Sequence, residues 1–166
     1  MNASLALTTM EVLKDRIPVT MEQLQAGIAN TRWQGRMETI LPGVIVDGAH
    51  NEDGVRRFVE TAERFQKEYP LTLLFSAVND KDYQDMIHTI CSRIKFRKVV
   101  TTEVGGYREV PSAELAEIFC KEGCKDVGNS DNIEEAFHMA HEAKGEPECC
   151  SAWVLFTWWE RLRHSC

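Results

Sequence analysis

The sequence predicts an α/β protein: a mostly parallel, Rossmann-like sheet with flanking helices, preceded by two helices that stand apart. Three observations predict it. From residue 43 on, short β-branched runs such as "GVIVD" (43–47) and "LTLLFSAV" (71–78) alternate with amphipathic helical patterns, and strands spaced by helices make βαβ units. The runs are nearly continuous in apolar residues, as strands covered on both faces must be. The first thirty residues show helical spacing and no strand.

Taken in order, "ASLALTTMEVLKD" (3–15) spaces its apolar residues for a helix, with Asn2 where an N-cap would stand. "VTMEQLQAGIAN" gives a second helix to about Ala29, capped by Thr20. "METI" and "GVIVD" read as two short strands joined at Pro42 and Gly43. Val55, Phe58, Val59, Ala62 and Phe65 mark one apolar face of a helix over 51–69, which Pro70 ends. The strand "LTLLFSAV", the helix "YQDMIHTICSRI" and the strand "KFRKVVTTE" follow. Then come the helix "SAELAEIFCKEG", the short strand "CKDVG", the helix "NIEEAFHMAHEAK" and a last strand "CCSAWVLF".

With 166 residues, 43% of them hydrophobic, the chain can bury one sizeable core. A net charge of −7 argues against a nucleic-acid backbone or an anionic membrane as partner. No apolar run reaches the length of a membrane span, and the start lacks a signal peptide's apolar stretch and cleavage site. The six cysteines (Cys91, Cys120, Cys124, Cys149, Cys150 and Cys166) form no CxxC pair and no Cys/His cluster. Neither a metal site nor a disulfide framework is expected, and a reduced, cytoplasmic setting fits.

The chemistry concentrates where the strand "GVIVD" gives way to a helix, at Asp47, Gly48, Ala49, His50 and Asn51. Ligands of open α/β sheets bind beyond the carboxyl ends of strands. A carboxylate there can accept from ribose hydroxyls, while a helix N-terminus and a histidine face phosphate. A second reading stands beside this one: a capped turn whose Asp47 bonds its own loop. Upstream, Arg36 follows Gly35 and leads a strand; its guanidinium suits bidentate phosphate contact, or plain surface charge.

Trp33, Gly35, Arg36, Met37 and Glu38, then a strand, then "DGAHN" together resemble the carboxy-terminal domain of folylpolyglutamate synthase/dihydrofolate synthase, within the Mur ligase superfamily. "NASLALTTMEVL" is similar to the last helix of that family's central ATPase domain. "VNDKDYQDMI" and "TTEVGGYREVPSAELAEI" are similar to its later strand ends and helices.

The resemblance implies an ATP-dependent acid–amino-acid ligase of folate biosynthesis and one-carbon metabolism, monomeric, adding L-glutamate to folate or dihydropteroate. The carboxylate becomes an acyl phosphate, and the incoming amine displaces the phosphate. In such enzymes the central domain supplies the phosphate loop and the Mg2+ ligands, and the carboxy-terminal domain closes over ATP. Carried over by motif, Asn2 contacts the nucleotide, Arg36 reaches ATP, Asp47 holds the ribose, and His50 is the catalytic histidine near the phosphates and the incoming amino acid. Lys81, Asp82 and Arg108 are substrate-binding candidates, each with a solvated surface role as the other reading. No metal ligand is carried onto this chain.

On this basis residues 1–30 are read as terminal helices of a central ATPase domain, 31–152 as the carboxy-terminal α/β domain, and 153–166 as an aberrant tail. No "GxxxxGK[ST]" phosphate loop occurs in the 166 residues. The chain is therefore expected to be a carboxy-terminal fragment, inactive alone. The alternatives are a stand-alone non-catalytic binding module and a relative acting on a cell-wall precursor; "WQGRMETI" with "VDGAHN" favours the folate branch. The tail reads as a frameshift of the family's terminal "GSLYLVGE". A DNA string chosen to spell GSLYLVGEIKAFL reads, with its first base dropped, as Val154 to Cys166, agreeing at all thirteen residues. On that reading Trp158 and Trp159 have no binding role.

Overall fold

The computed structural model describes residues 2–31, 35–79, 82–103, 105–142 and 151–155. Trp33, Lys81, Trp158 and Trp159 lie outside the described residues. The chain divides into two units, Met1–Gln34 and Gly35–Cys166.

The first unit holds α1 (Asn2–Leu13) and α2 (Met21–Asn30). Asn2 is the first residue of α1 itself, one place inside the cap position expected for it. Thr20 caps α2 through a reciprocal pair: its hydroxyl accepts from the Gln23 amide at 3.1 Å, and the Gln23 side chain accepts from the Thr20 amide at 2.9 Å. No residue of α2 is buried.

The second unit runs β1 (Glu38–Leu41), β2 (Val44–Asp47), α3 (Glu52–Phe65), β3 (Leu71–Phe75) and α4 (Tyr83–Arg93). It continues with β4 (Phe96–Thr102), α5 (Ser112–Lys121), β5 (Val127–Ser130), α6 (Ile133–Glu142) and β6 (Ser151–Leu155). Every expected strand and helix is present. The helix after Asn51 stops at Phe65 and yields to turns, with the Glu68 and Tyr69 amides both donating to the Phe65 carbonyl. Pro70 bars helical backbone at the residue before it, so the helix cannot run up to it. Trp153, Val154 and Leu155, read as the start of the tail, are the last three residues of β6.

β1 and β2 form an antiparallel hairpin closed by Gly43 at a φ of 71°. All other pairings are parallel, in the order β1-β2-β6-β3-β4-β5. From β2 the chain steps past β6 to β3, then to β4 and β5, always in one direction. Right-handed crossovers therefore place α3, α4 and α5 on one face. The return from β5 to β6 runs the other way and sets α6 on the opposite face. Side-chain alternation along the strands agrees. Leu71, Leu73, Phe75 and Val99 pack with Val55, Phe58, Ile87, Ile90, Leu115 and Phe119. Leu74 and Val100, one residue over, join Val44 and Val46 against Ala136 and Ala140 of α6. Because the direction of travel reverses at β6, the carboxyl ends of β2 and β3 flank a topological switch point.

Candidate functional site

Asp47 ends β2 at that switch point, 7% exposed. The antiparallel register sets Glu38 opposite Val46, which brings Met37 beside Asp47. The Met37 amide donates to Asp47 Oδ2 at 3.0 Å. Two more hydrogen bonds lace the segment down: the Gly48 amide donates to the Gly35 carbonyl at 2.7 Å, and the Gly35 amide to the side-chain Oε2 of Glu38 at 2.7 Å. The path needs left-handed backbone at two places, Gly35 with φ 66° and Met37 with φ 47°. Glycine tolerates this; methionine does so at a cost of order 1 kcal/mol. The Asp47 carboxylate is thus bound both across the hairpin, to a segment ten residues earlier, and to the Ala49 amide of its own loop, the bond the capped-turn reading expects.

Burial pushes the Asp47 carboxyl above its ordinary value. The Met37 amide, the Arg36 guanidinium, the Ala49 amide and His50 pull the other way without cancelling it. Arg36 Nη1 lies 3.4 Å from the Gly48 carbonyl oxygen, and His50 Nδ1 lies 2.8 Å from the same oxygen. A carbonyl only accepts, so Nδ1 carries the hydrogen, and in the neutral form of the ring Nε2 is the lone-pair nitrogen. Arg36, Asp47 and His50 thus meet around one peptide, that of Gly48.

Asn51 caps α3, accepting the Gly54 amide at 2.8 Å. A side chain at Gly54 would be tight: a Cβ there would stand 3.1 Å from Asn51 Oδ1 and 3.2 Å from the Ala49 Cβ, so those neighbours would have to give way slightly. Asp53, in the same turn, is held by Arg56 and Arg57, whose hydrogen bonds draw its carboxyl below the usual range.

A cleft of about 520 Å³ opens between the first turns of α3 and α4, with His50 and Asn51 on one wall and Asp82 and His88 among the residues of the other. His50 and Asp82 are therefore brought to one cleft, which Arg36, Asp47 and Arg108 do not line. Asp82 also caps α4, accepting the Asp85 amide at 3.2 Å. Arg108 sits in a segment laced antiparallel to the loop after β3. Its carbonyl accepts the Asn79 amide at 2.7 Å, and Val78 bridges Glu109. Its guanidinium stands 5.6 Å from the Tyr107 ring centroid. Asn2 belongs to the other unit.

Sequence reasoning missed the roles of Met37, Glu38 and Gly54. A glycine in the first turn of a helical pattern was the one available signal; the others depend on pairing across the hairpin. It also missed Ser76, at the carboxyl end of β3, and Glu109. Ser76 Oγ and Glu109 Oε1 are buried without a hydrogen-bond partner. Among the described residues no group of three or more His, Cys, Asp or Glu is placed to hold a metal ion. No helix among them is long and apolar enough to cross a membrane. What the turn does offer is a buried carboxylate acceptor, a guanidinium and an imidazole around a helix N-terminus. Such a set suits a ligand with hydroxyl and anionic groups.

An α/β domain with its candidate site at the switch point of a mostly parallel sheet is the class these features define. Within that class, the chain belongs to the Mur ligase, glutamate ligase domain family, whose model matches residues 35–157. Over 102 residues it is 38% identical to the dihydrofolate synthase/folylpolyglutamate synthase of Bacillus subtilis, a match covering 57% of this chain and 24% of that protein. Among solved structures, Escherichia coli FolC in complex with DHPP and ADP matches with a TM-score of 0.81 at 18% identity, covering 99% of this chain and 37% of that one. That likeness carries the fold alone. The folylpolyglutamate synthase of Thermotoga maritima matches with a TM-score of 0.66 at 26% identity, covering 94% and 35%. The chain thus spans between 24% and 37% of the lengths of these relatives.

Proposed function

We propose that this chain is the nucleotide-closing part of an ATP-dependent ligase that adds L-glutamate to folate or dihydropteroate through an acyl phosphate. The observation that supports it best is the convergence of Arg36, Asp47 and His50 on the Gly48 peptide at the switch point. In this reading Asp47 accepts from the ribose hydroxyls, and Arg36 and His50 face the phosphates. His50 Nε2, directed by the bond at Nδ1, is the proton-handling atom nearest the incoming amine. Asn2 contacts the nucleotide, while Lys81, Asp82 and Arg108 serve the substrate. Mg2+ is held by the ATPase part of such a ligase. The folate enzymes among the relatives support folate over a cell-wall precursor.

Without a phosphate loop the chain alone binds Mg-ATP weakly or not at all and ligates nothing. Titrating ADP to millimolar concentration against the isotope-labelled chain tests the site itself. Amide shifts are expected at 35–37 and 47–51 and lost in Asp47→Asn, while calorimetry at micromolar Mg-ATP shows no heat of binding. Shifts confined to other surfaces, or tight Mg-ATP binding by the chain alone, would overturn the proposal.

A further inference from the structure

No spacing in the sequence pairs any two cysteines, yet the fold brings two of them together. Cys91 lies on the inner side of α4 near its end. Cys124 follows the left-handed turn at Gly123, φ 92°, that ends α5 and leads to β5. Both are half-buried free thiols, with their sulfurs 3.7 Å apart across 33 residues of chain. Two further ties run along the same α4–α5 seam. The Tyr83 hydroxyl donates to Glu114 Oε1 at 2.7 Å, and His88 Nδ1 meets Glu122 Oε2 at 3.0 Å. The pair is thus held in place by its surroundings. A disulfide bond is about 2.05 Å long, and the remaining gap is within reach of side-chain rotation.

We propose that Cys91 and Cys124 are a reversible redox modification site, closing to a disulfide with a low-molecular-weight disulfide such as oxidised glutathione as the oxidant. The two sulfurs are not equivalent. The two sulfurs share one hydrogen bond in which either can be the donor; with Cys91 donating, it draws the Cys124 thiol below its ordinary value against burial and the Glu122 carboxylate, and the same bond, then burial, pushes Cys91 up. Cys124 is therefore the attacking thiolate. It breaks the S–S bond of the oxidant, forming a mixed disulfide and releasing one glutathione thiolate. Cys91 then loses its proton and attacks the Cys124 sulfur, displacing the second. Two protein thiols are oxidised by two electrons, the oxidant is reduced to two glutathione molecules, and the two protons go to them. In a reducing cytoplasm the pair rests open, and it closes as the thiol poise shifts. The cross-link fastens α4, whose first half lines the cleft beside His50.

The test is the full chain carrying Cys120→Ser, Cys149→Ser, Cys150→Ser and Cys166→Ser, equilibrated with excess oxidised glutathione. The expected product is a monomer lighter by two hydrogens, both thiols gone, with a melting temperature raised by about 5 °C or more and restored by dithiothreitol. Cys91→Ser in that background takes up one glutathione instead and shows no such rise. The unsubstituted chain, treated in the same way, yields a proteolytic peptide joining Cys91 to Cys124. Stable glutathione adducts on both cysteines, a covalent dimer through either, or two unreacted thiols would each overturn the proposal.

Discussion

At Asp47 the demands of binding and of stability point in opposite directions. Its carboxylate is nearly enclosed, and burial raises its pKa despite the Met37 amide and the Arg36 guanidinium. A carboxyl whose folded pKa lies above its unfolded one makes the folded state bind more protons in the window between the two. Stability therefore falls as pH rises through that window and stays lowered above it. Asp47→Asn keeps an oxygen for the Met37 amide and removes the buried charge. It is expected to raise the melting temperature at pH 7, with the gain over the parent shrinking as the pH is lowered into the carboxylate range, while the nucleotide contact proposed for Asp47 is lost. Thermal melts across that range check this, and a variant less stable than the parent at pH 7 would show that the paired charge stabilises the turn. Met37 carries the second strain at this scale. Its φ of 47° disfavours a β-branched side chain, so Met37→Ile should lose about 1–2 kcal/mol more than Met37→Leu in denaturant melts. Equal losses would mean that the backbone relaxes out of the left-handed region.

At the scale of elements, the start of α3 is where local signals and tertiary packing meet. Asn51 as a cap was legible, because capping is a property of neighbours in sequence. The reason for Gly54 was not, since it lies in the approach of the helix to Ala49, which is 1% exposed and backed by the core. Alanine is the better helix former by about 1 kcal/mol in a helix interior. Here its Cβ would press on Asn51 Oδ1 and on an Ala49 that has little room to yield. Gly54→Ala is therefore expected to destabilise by about 1 kcal/mol, similar to Asn51→Ala. The double variant should lose less than the sum, because both act through one cap. A Gly54→Ala chain more stable than the parent would show that Ala49 does move. Elsewhere the elements followed their patterns, except that α3 gives way to turns at Phe65, ahead of Tyr69, the residue that Pro70 bars from the helix.

For the whole molecule, periodicity could announce which segments are strands and helices, but not which strands are neighbours. Nothing in the residues of β6 says that the last strand belongs in the middle of the sheet. Yet it pairs with β2 on one side, from Val44 to Asp47, and with β3 on the other, from Leu71 to Phe75. The consequence is a fold whose parts are joined through β6 by pairing between segments far apart in sequence, the kind of contact that is slow to form. The candidate site depends on it too, since β6 separates the two strand ends that flank the switch point. A chain ending at residue 150 should keep β3, β4 and β5 as neighbours but leave the β1–β2 hairpin with no strand beside it. We expect such a chain to lose its cooperative thermal transition, and the amides of Val44 to Asp47 to exchange as fast as in a disordered peptide, while β3–β5 amides retain partial protection. A synthetic peptide of residues 149–157, added in excess, should restore protection at Val44–Asp47 before anywhere else. If the shortened chain instead melts cooperatively at the parent's temperature, β2 and β3 can pair without β6, and the central strand is an insertion into a sheet that already stands.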